Sequence, residues 1–110
     1  MCGGLFVIRR TAFAHVGGFD ERFLGWGGED DAMTIKVERA RLSCVELDDE
    51  PALHLWHPRP RARTTGHPHY AQNVALLAAY RDYADAELSR LAEVQWQMCG
   101  NVRKYQAAIP

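Results

Sequence analysis

The 110 residues are about the length of one domain, and a composition with 47% hydrophobic and 25% charged residues is ordinary for a globular protein. Thirteen Lys and Arg against fourteen Asp and Glu leave a net charge of −1, which gives no electrostatic reason to expect nucleic acid or an anionic membrane as partner. No apolar run reaches the roughly 18 residues that a membrane span needs, and the sequence does not begin with a signal-peptide pattern.

The three cysteines, Cys2, Cys44 and Cys99, are widely spaced and odd in number. Because no Cys-x-x-Cys pair occurs, the sequence supports neither a thiolate zinc site nor a thioredoxin-like redox centre. We expect free thiols in a reducing compartment and therefore a cytoplasmic protein. One disulfide with a leftover thiol is the alternative.

The N-terminal part of the chain predicts a strand followed by a short helix. Residues 5–8 form an apolar run after a glycine pair and are typical of a short buried strand. The run begins without a polar lead-in, as if the chain had been cut just before a sheet strand. Thr11 is expected to cap a helix through Ala14, which the glycines at 17–18 would end.

A second helix is predicted to begin at Glu29. Met33, Val37 and Ala40 follow helical spacing, and three acidic residues occupy the first turn, where the helix dipole favours anions. After this helix, residues 43–47 and 52–56 are each predicted to form a strand, with a turn between them.

The rest of the chain divides into a loop, a helix and a tail. Prolines exclude regular structure from the segment at 59–69, which is predicted to be an ordered loop. An apolar residue every seven positions predicts one long helix over 70–98, packed on its own domain rather than in a coiled coil. These repeated positions are Leu77, Ala84, Leu91 and Met98. The tail at 99–110 is expected to fray.

The densest chemical signal is the string at 23–31, Phe-Leu-Gly-Trp-Gly-Gly-Glu-Asp-Asp. Glycines let a loop approach a ligand closely, and the indole of Trp26 offers a flat face suited to stacking on a sugar ring. Glu29, Asp30 and Asp31 at a helix start can bind hydroxyl groups or act as a general base. In the alternative interpretation the acids only stabilise the helix, the glycines only make a loop, and the tryptophan belongs to the core.

Together with Val-Gly-Gly-Phe-Asp-Glu-Arg-Phe at 16–23, this string resembles the C-terminal, acceptor-side half of nucleotide-sugar glycosyltransferases. It is most similar to the β-1,4-galactosyltransferase group and to bacterial family 2 glycosyltransferases. The resemblance covers residues 3–58, within the segment at 1–58. The resemblance implies a fragment of the GT-A fold, α+β in class, with short strands, a helix at the catalytic loop and a long C-terminal helix.

The resemblance also implies roles for individual residues. Asp30 matches the general base of the inverting members, and Trp26 matches the tryptophan of the mobile loop that closes over the donor sugar. Substrate binding is implied for Trp26 and for four neighbours, Gly27, Gly28, Glu29 and Asp31. Ala32 stands where a third following acid is found in some members, which leaves the subfamily open.

Two histidines are implied as metal ligands. His57 matches the histidine that completes a manganese site, and His54 falls where a second ligand is found. A continuous strand would direct residues 54 and 57 to opposite faces, so both could bind one ion only if the strand ends by Trp56, which Pro58 favours. His67 and His69 are expected to be loop residues; in the alternative they join His57 in a cluster.

No Asp-x-Asp motif and no leading nucleotide-binding segment are present. The resemblance therefore implies a parent enzyme that transfers a sugar from a nucleotide donor, UDP-linked, to a carbohydrate acceptor, by inversion and with Mn²⁺ or Mg²⁺. The metal is expected only with the missing donor-binding half, and this chain alone is expected to be inactive.

Two other functions compete with this one. A non-catalytic carbohydrate-binding or interaction module would use the same loop, and a small metalloenzyme would use the four histidines from His54 to His69. An isolated half-domain would expose the face that its other half covers, so a homodimer through that face is also predicted.

Overall fold

The computed structural model describes residues 5–46, 51–56, 58 and 65–100. These residues form four helices: α1 (Arg10–His15), α2 (Glu29–Arg39), α3 (Tyr70–Asp82) and α4 (Asp85–Met98). Helix α2 packs on α3, and α1 packs on α4. Among the residues described, no helix is long and apolar enough to cross a bilayer.

The strands predicted at 5–8, 43–47 and 52–56 are not formed in the part of the chain that the structure describes, which contains helices, turns and irregular segments only. Residues 5–8 alternate between exposed and half-buried side chains as a strand would, but they are not assigned to a strand. Phe6 and Ile8 are half-buried, whereas Leu5 and Val7 are 83% and 95% exposed. An isolated extended segment is not stable as a strand, and the structure assigns no strand in the described residues of these segments. The GT-A fragment itself stays a prediction, because the helical part of the chain does not bear on it.

Helix α1 begins one residue before Thr11, so the prediction that Thr11 is its cap was wrong. Arg9 holds the N-cap position and makes no capping hydrogen bond through its side chain. The helix ends where the glycines predicted, since Gly17 and Gly18 have φ angles of +76° and +69°. A Cβ on Gly17 would lie 2.6 Å from the Cα of Ala92, so the absent side chain is what lets α4 approach.

Two apolar clusters hold the helices together. In the first, Val16, Met33 and Val37 are buried between the end of α1 and α2, with Phe13 packed against them. The second joins α2 to the C-terminal helices through Ala32, Tyr80 and Leu88. Helix α2 begins at Glu29 as predicted and is the element that both clusters share.

The single helix predicted over 70–98 is two helices, α3 and α4, with a bend between them. Tyr83 leaves the helical conformation (φ −58°, ψ 136°), and the backbone N–H of Ala84 donates to the Glu87 carboxylate at 2.7 Å. Since the two helices face different neighbours, the seven-residue repeat does not mark the buried face: Ala84 and Met98 are exposed. The buried positions are Asn73, Tyr80, Leu88 and Ala92.

The remaining predictions about the chain are tested only in part. Cys44 and Cys99 are free, as the sequence predicted for them, and both are exposed, while Cys2 lies outside the described residues. Most of the predicted loop at 59–69 and of the tail at 99–110 also lies outside them.

Candidate functional site

A cleft of about 280 Å³ opens between the start of α2 and the first half of α3. Every residue of the segment at 26–31 lines it, so the structure brings together the catalytic and substrate-binding residues predicted there: Trp26, Gly27, Gly28, Glu29, Asp30 and Asp31. The opposite wall comes from α3 and consists of Tyr70, Asn73, Val74 and Leu77.

Gly28 shapes the loop on the near side of the cleft. Its φ of +94° is left-handed, and its position immediately before α2 turns the chain into the helix. A Cβ on Gly28 would lie 2.8 Å from the ring of Phe23, so both the backbone angle and the space require glycine. This tight turn places the first residues of α2 at the cleft.

The ring of Trp26 stacks on the ring of Tyr70. Their centroids are 5.9 Å apart and the two planes meet at 19°. Trp26 is 39% exposed and lines the cleft, so it is not a core tryptophan. The pair forms an aromatic wall of the kind on which the apolar face of a sugar ring can lie.

The three acids differ in their surroundings. Glu29 and Asp30 are half-buried, and Asp31 is exposed. The Glu29 carboxylate accepts a hydrogen bond of 3.1 Å from the backbone N–H of Gly27, so it also holds the loop. Because all three lie in the first turn of α2, the positive end of the helix stabilises their negative charge.

Asn73 fastens the loop to α3. The side chain is 1% exposed, and its Oδ1 accepts from the backbone N–H of Leu24 at 3.2 Å. Its Nδ2 donates to the carbonyl oxygens of Leu24 and Trp26 at 3.0 and 3.1 Å. One amide therefore satisfies three backbone groups of the loop that carries the indole.

A network of hydrogen-bonded polar side chains joins the loop after α1 to α3 and α4. The carboxylate of Asp20 accepts from Arg22 and from the hydroxyl of Tyr80, and Gln95 donates to that hydroxyl. Burial alone would raise the pKa of Asp20, but the hydrogen bonds from Arg22 and Tyr80 outweigh it and leave this pKa below its ordinary value. Burial is the main cause that raises the pKa of Tyr80.

Lys36 adds a buried cation to this network. Its Nζ donates to the carbonyl oxygen of Gly18 at 2.7 Å and to the side-chain oxygen of Gln95. Burial is the main cause that lowers the pKa of Lys36 to about 8. The nearby carboxylate of Asp20 opposes this shift.

The histidines do not form a metal site in the part of the chain that is described. His54 is exposed, and His57 lies outside the described residues. The rings of His67 and His69 are 5.5 Å apart, and the Nδ1 of His67 accepts from the backbone N–H of His69, while its ring lies against Gly25. No group of three His, Cys, Asp or Glu residues that could hold a metal occurs among the described residues, and the predicted metal site stays a prediction.

Tyr70 and Asn73 were not predicted as site residues. They are three positions apart and so share one face of α3, but the loop that they contact lies more than 40 residues earlier in the chain. One signal was available in the sequence, because Asn73 stands among apolar residues of a predicted helix. A helix interior disfavours asparagine unless its side chain has a hydrogen-bond partner.

Comparison with known proteins agrees with the motif at this site. A family model described as the N-terminal domain of galactosyltransferase matches residues 1–58. The chain is 44% identical over 61 residues to the β-1,4-galactosyltransferase 4 of Mus musculus, covering 54% of this chain and 18% of that protein. No solved structure matches.

Two further relatives carry related names. The chain is 30% identical over 78 residues to polypeptide N-acetylgalactosaminyltransferase 4 of Mus musculus, covering 71% of this chain and 13% of that protein. It is 38% identical over 56 residues to chondroitin sulfate N-acetylgalactosaminyltransferase 1 of Homo sapiens, covering 51% and 10% of the two chains. The chain thus spans less than a fifth of the length of these curated relatives, all of which are animal proteins.

Proposed function

Because this chain belongs to the galactosyltransferase family, whose model matches residues 1–58, we propose that it supplies the acceptor-side part of a glycosyltransferase. The full protein would transfer a sugar from a UDP-linked donor to a carbohydrate acceptor, within a GT-A fold. The observation that carries the proposal is the cleft, since one segment places an indole, two glycines and three carboxylates around it. The matched description names an N-terminal domain, so the acceptor-side placement rests on the resemblance of the acids at 29–31.

Asp30 is the general base in this proposal. Its carboxylate takes the proton of an acceptor hydroxyl while that oxygen bonds to the anomeric carbon of the donor sugar. The bond from that carbon to the diphosphate oxygen breaks, and the nucleoside diphosphate departs with the electron pair. Attack from the face opposite the leaving group inverts the anomeric configuration. The half-buried position of Asp30 at the cleft supports this role, because a base must reach the bound hydroxyl.

Trp26 and the other acids bind substrate in this scheme. The indole, held by Tyr70, gives an apolar face to one sugar ring. Asp31 accepts hydrogen bonds from sugar hydroxyls, and Glu29 does so with the carboxylate oxygen that Gly27 does not occupy. Metal dependence stays a prediction tied to His57 and His54.

The test is sugar transfer by the full-length protein with a panel of UDP-sugars and oligosaccharide acceptors. Asp30→Asn should lower kcat by roughly 10²- to 10⁴-fold, the contribution of a positioned acid–base group. The matched control is Glu38→Gln, an exposed acid on the same helix outside the cleft, which should leave kcat unchanged. Full activity in Asp30→Asn would exclude this residue as the base.

A non-catalytic carbohydrate-binding module is the second candidate, and the half-exposed Trp26–Tyr70 stack favours it. It predicts that oligosaccharide binds with the same affinity with and without UDP, and that no donor is turned over. Trp26→Ala should abolish this binding while Asp30→Asn leaves it intact. The enzyme also predicts that Asp30→Asn binds oligosaccharide, so the two candidates are separated by the wild-type protein, which turns over the donor only if it is the enzyme.

A further inference from the structure

We infer that Asn73 is a positioning residue of the cleft, whose buried amide holds the loop from Leu24 to Gly28 on α3 and thereby fixes the indole of Trp26 at the cleft wall. The link to sugar transfer rests on the proposed function. The contacts between Asn73 and the loop do not depend on it.

The amide of Asn73 matches the loop in both its donors and its acceptor. Its oxygen accepts from Leu24, and its nitrogen donates to the carbonyl oxygens of Leu24 and Trp26. Only a side chain with two donors and an acceptor can make all three bonds. An aspartate would place a carboxylate oxygen against two carbonyl oxygens, and a leucine would leave three backbone groups without their protein partner.

The loop itself supplies little rigidity. Gly25, Gly27 and Gly28 all have positive φ, and glycine loses more conformational entropy on ordering than any other residue. A segment with three such residues in four positions needs contacts from outside to keep one conformation. Helix α3 provides two of them three residues apart, the ring of Tyr70 and the amide of Asn73.

Asn73 acts through Trp26 rather than on the reacting atoms. Its bonds end on the backbone of Leu24 and Trp26, whereas Asp30 lies beyond Gly28 in α2. Loss of the amide therefore displaces the indole and weakens the hold on the sugar. The side-chain hydrogen bonds of Asn73 go to Leu24 and Trp26 and not to Asp30, so a variant that adds no titratable group should leave the pH profile of turnover unchanged.

The experiment uses the full-length protein labelled with 5-fluorotryptophan and follows its ¹⁹F spectrum. Trp26→Phe assigns the loop signal, and Trp96→Phe assigns an internal control for the fold. Trp96 packs edge-on against Phe13 with centroids 6.5 Å apart, where α4 contacts α1, so its signal reports helix packing away from the loop. Asn73→Leu and Asn73→Asp are compared with Gln72→Ala, an exposed neighbour on α3.

Both Asn73 variants should move the Trp26 signal toward that of free fluorotryptophan and increase its solvent isotope shift, while the Trp96 signal stays in place. Gln72→Ala should change neither signal. A Trp26 signal that stays in place in both Asn73 variants would overturn the inference. Movement of both tryptophans together in both variants would also overturn it, because Asn73 would then be a general packing residue.

Transfer assays connect the loop to the reaction. Each Asn73 variant should lower kcat/KM by about tenfold or more, and the pH profile should be unchanged in Asn73→Leu, which adds no titratable group. Unchanged kcat/KM in a variant whose Trp26 signal has moved would overturn the positioning role. If the wild-type protein transfers no sugar, the proposed function fails, and the ¹⁹F comparison still decides whether Asn73 holds the loop.

Discussion

The hydroxyl of Tyr80 donates a hydrogen bond of 2.6 Å to Oδ2 of Asp20, a residue sixty positions earlier in the chain. Both side chains are buried, and the same carboxylate is bound by the guanidinium of Arg22. Gln95 donates to the Tyr80 hydroxyl from α4 at 3.2 Å. The Tyr80 hydroxyl therefore joins the loop after α1 to α3 and α4. The first half of α3 also lines the cleft.

Removing the hydroxyl of Tyr80 should destabilise the fold without changing its shape. Tyr80→Phe keeps the ring in the apolar cluster but removes the donor to Asp20 and the acceptor for Gln95, so we expect a loss of about 1–3 kcal/mol. Urea unfolding measures it. Tyr83→Phe removes the hydroxyl of a half-buried tyrosine packed edge-on against Tyr80 and should cost much less. Equal losses in the two variants would contradict the role of the Tyr80 hydroxyl.

The depressed pKa of Lys36 predicts that stability rises with pH above neutrality. Its pKa is about 8 in the folded protein and 10.5 ordinarily, so between these values the unfolded chain binds more protons. Below pH 8, Lys36 is protonated in both the folded and the unfolded protein, so the free-energy cost of burying its charge is present in full. Raising the pH from 8 toward 10.5 removes this cost and should increase the free energy of unfolding by roughly 1–3 kcal/mol.

The measurement is the free energy of unfolding of the wild-type protein minus that of Lys36→Met, from pH 7 to pH 10. The subtraction cancels the contribution to the free energy of unfolding from other titratable groups that behave alike in both proteins. The charged groups near Lys36 are Asp20 and Arg22, and Tyr80 keeps its proton because its pKa is raised. The difference should be flat up to pH 8 and then rise. A difference that falls with pH would show that Lys36 is stabilised as a cation.

Gly17→Ala should be more damaging than Gly18→Ala. Both glycines are buried and left-handed, so the two substitutions share the penalty of a positive φ, about 1–2 kcal/mol. A Cβ at 17 also meets the backbone of Ala92 in α4, whereas a Cβ at 18 lies 3.3 Å from the ring of Phe13, which can move. Thermal unfolding should give a clearly lower Tm for Gly17→Ala, and similar values would mean that α4 can shift at no cost.

The bend between α3 and α4 depends on the carboxylate of Glu87. It accepts from the backbone N–H of Ala84, so Glu87→Ala should destabilise the start of α4 by about 1 kcal/mol. Glu93→Ala removes an exposed acid from the middle of the same helix and is the control. Amide hydrogen exchange should show faster exchange in the first turn of α4 only in Glu87→Ala. Protection equal to wild type there would argue against the cap.

The sequence predicted the near side of the cleft because its residues are neighbours in the chain. Trp26 and Asp30 are four positions apart, and the glycines and the acidic first turn determine the local conformation. The far side was not predicted because it depends on packing. Nothing local to Asn73 shows that its partners are Leu24 and Trp26, which reach it only after α3 has docked on α2.

The C-terminal helices show how a regular pattern can mislead. The repeat from Leu77 to Met98 predicted one buried stripe, but it contains Ala84, which lies exposed at the bend. A repeat identifies a face only if the helix is continuous, and the acids at 85 and 87 were the signal for a second helix start. The segments at 5–8 and 52–56 have the apolar character of strands, but the structure assigns no strand to them.

The second apolar cluster has a practical consequence for anyone dividing this protein into fragments. The family match stops at residue 58, yet Ala32 in α2 is covered by Tyr80 and Leu88 from the segment beyond it. Expression of residues 1–58 alone would expose that side of α2 and the ammonium group of Lys36 to water. The end of the family match is therefore not a boundary of autonomous folding, and a chimera or truncation should keep the chain through α4.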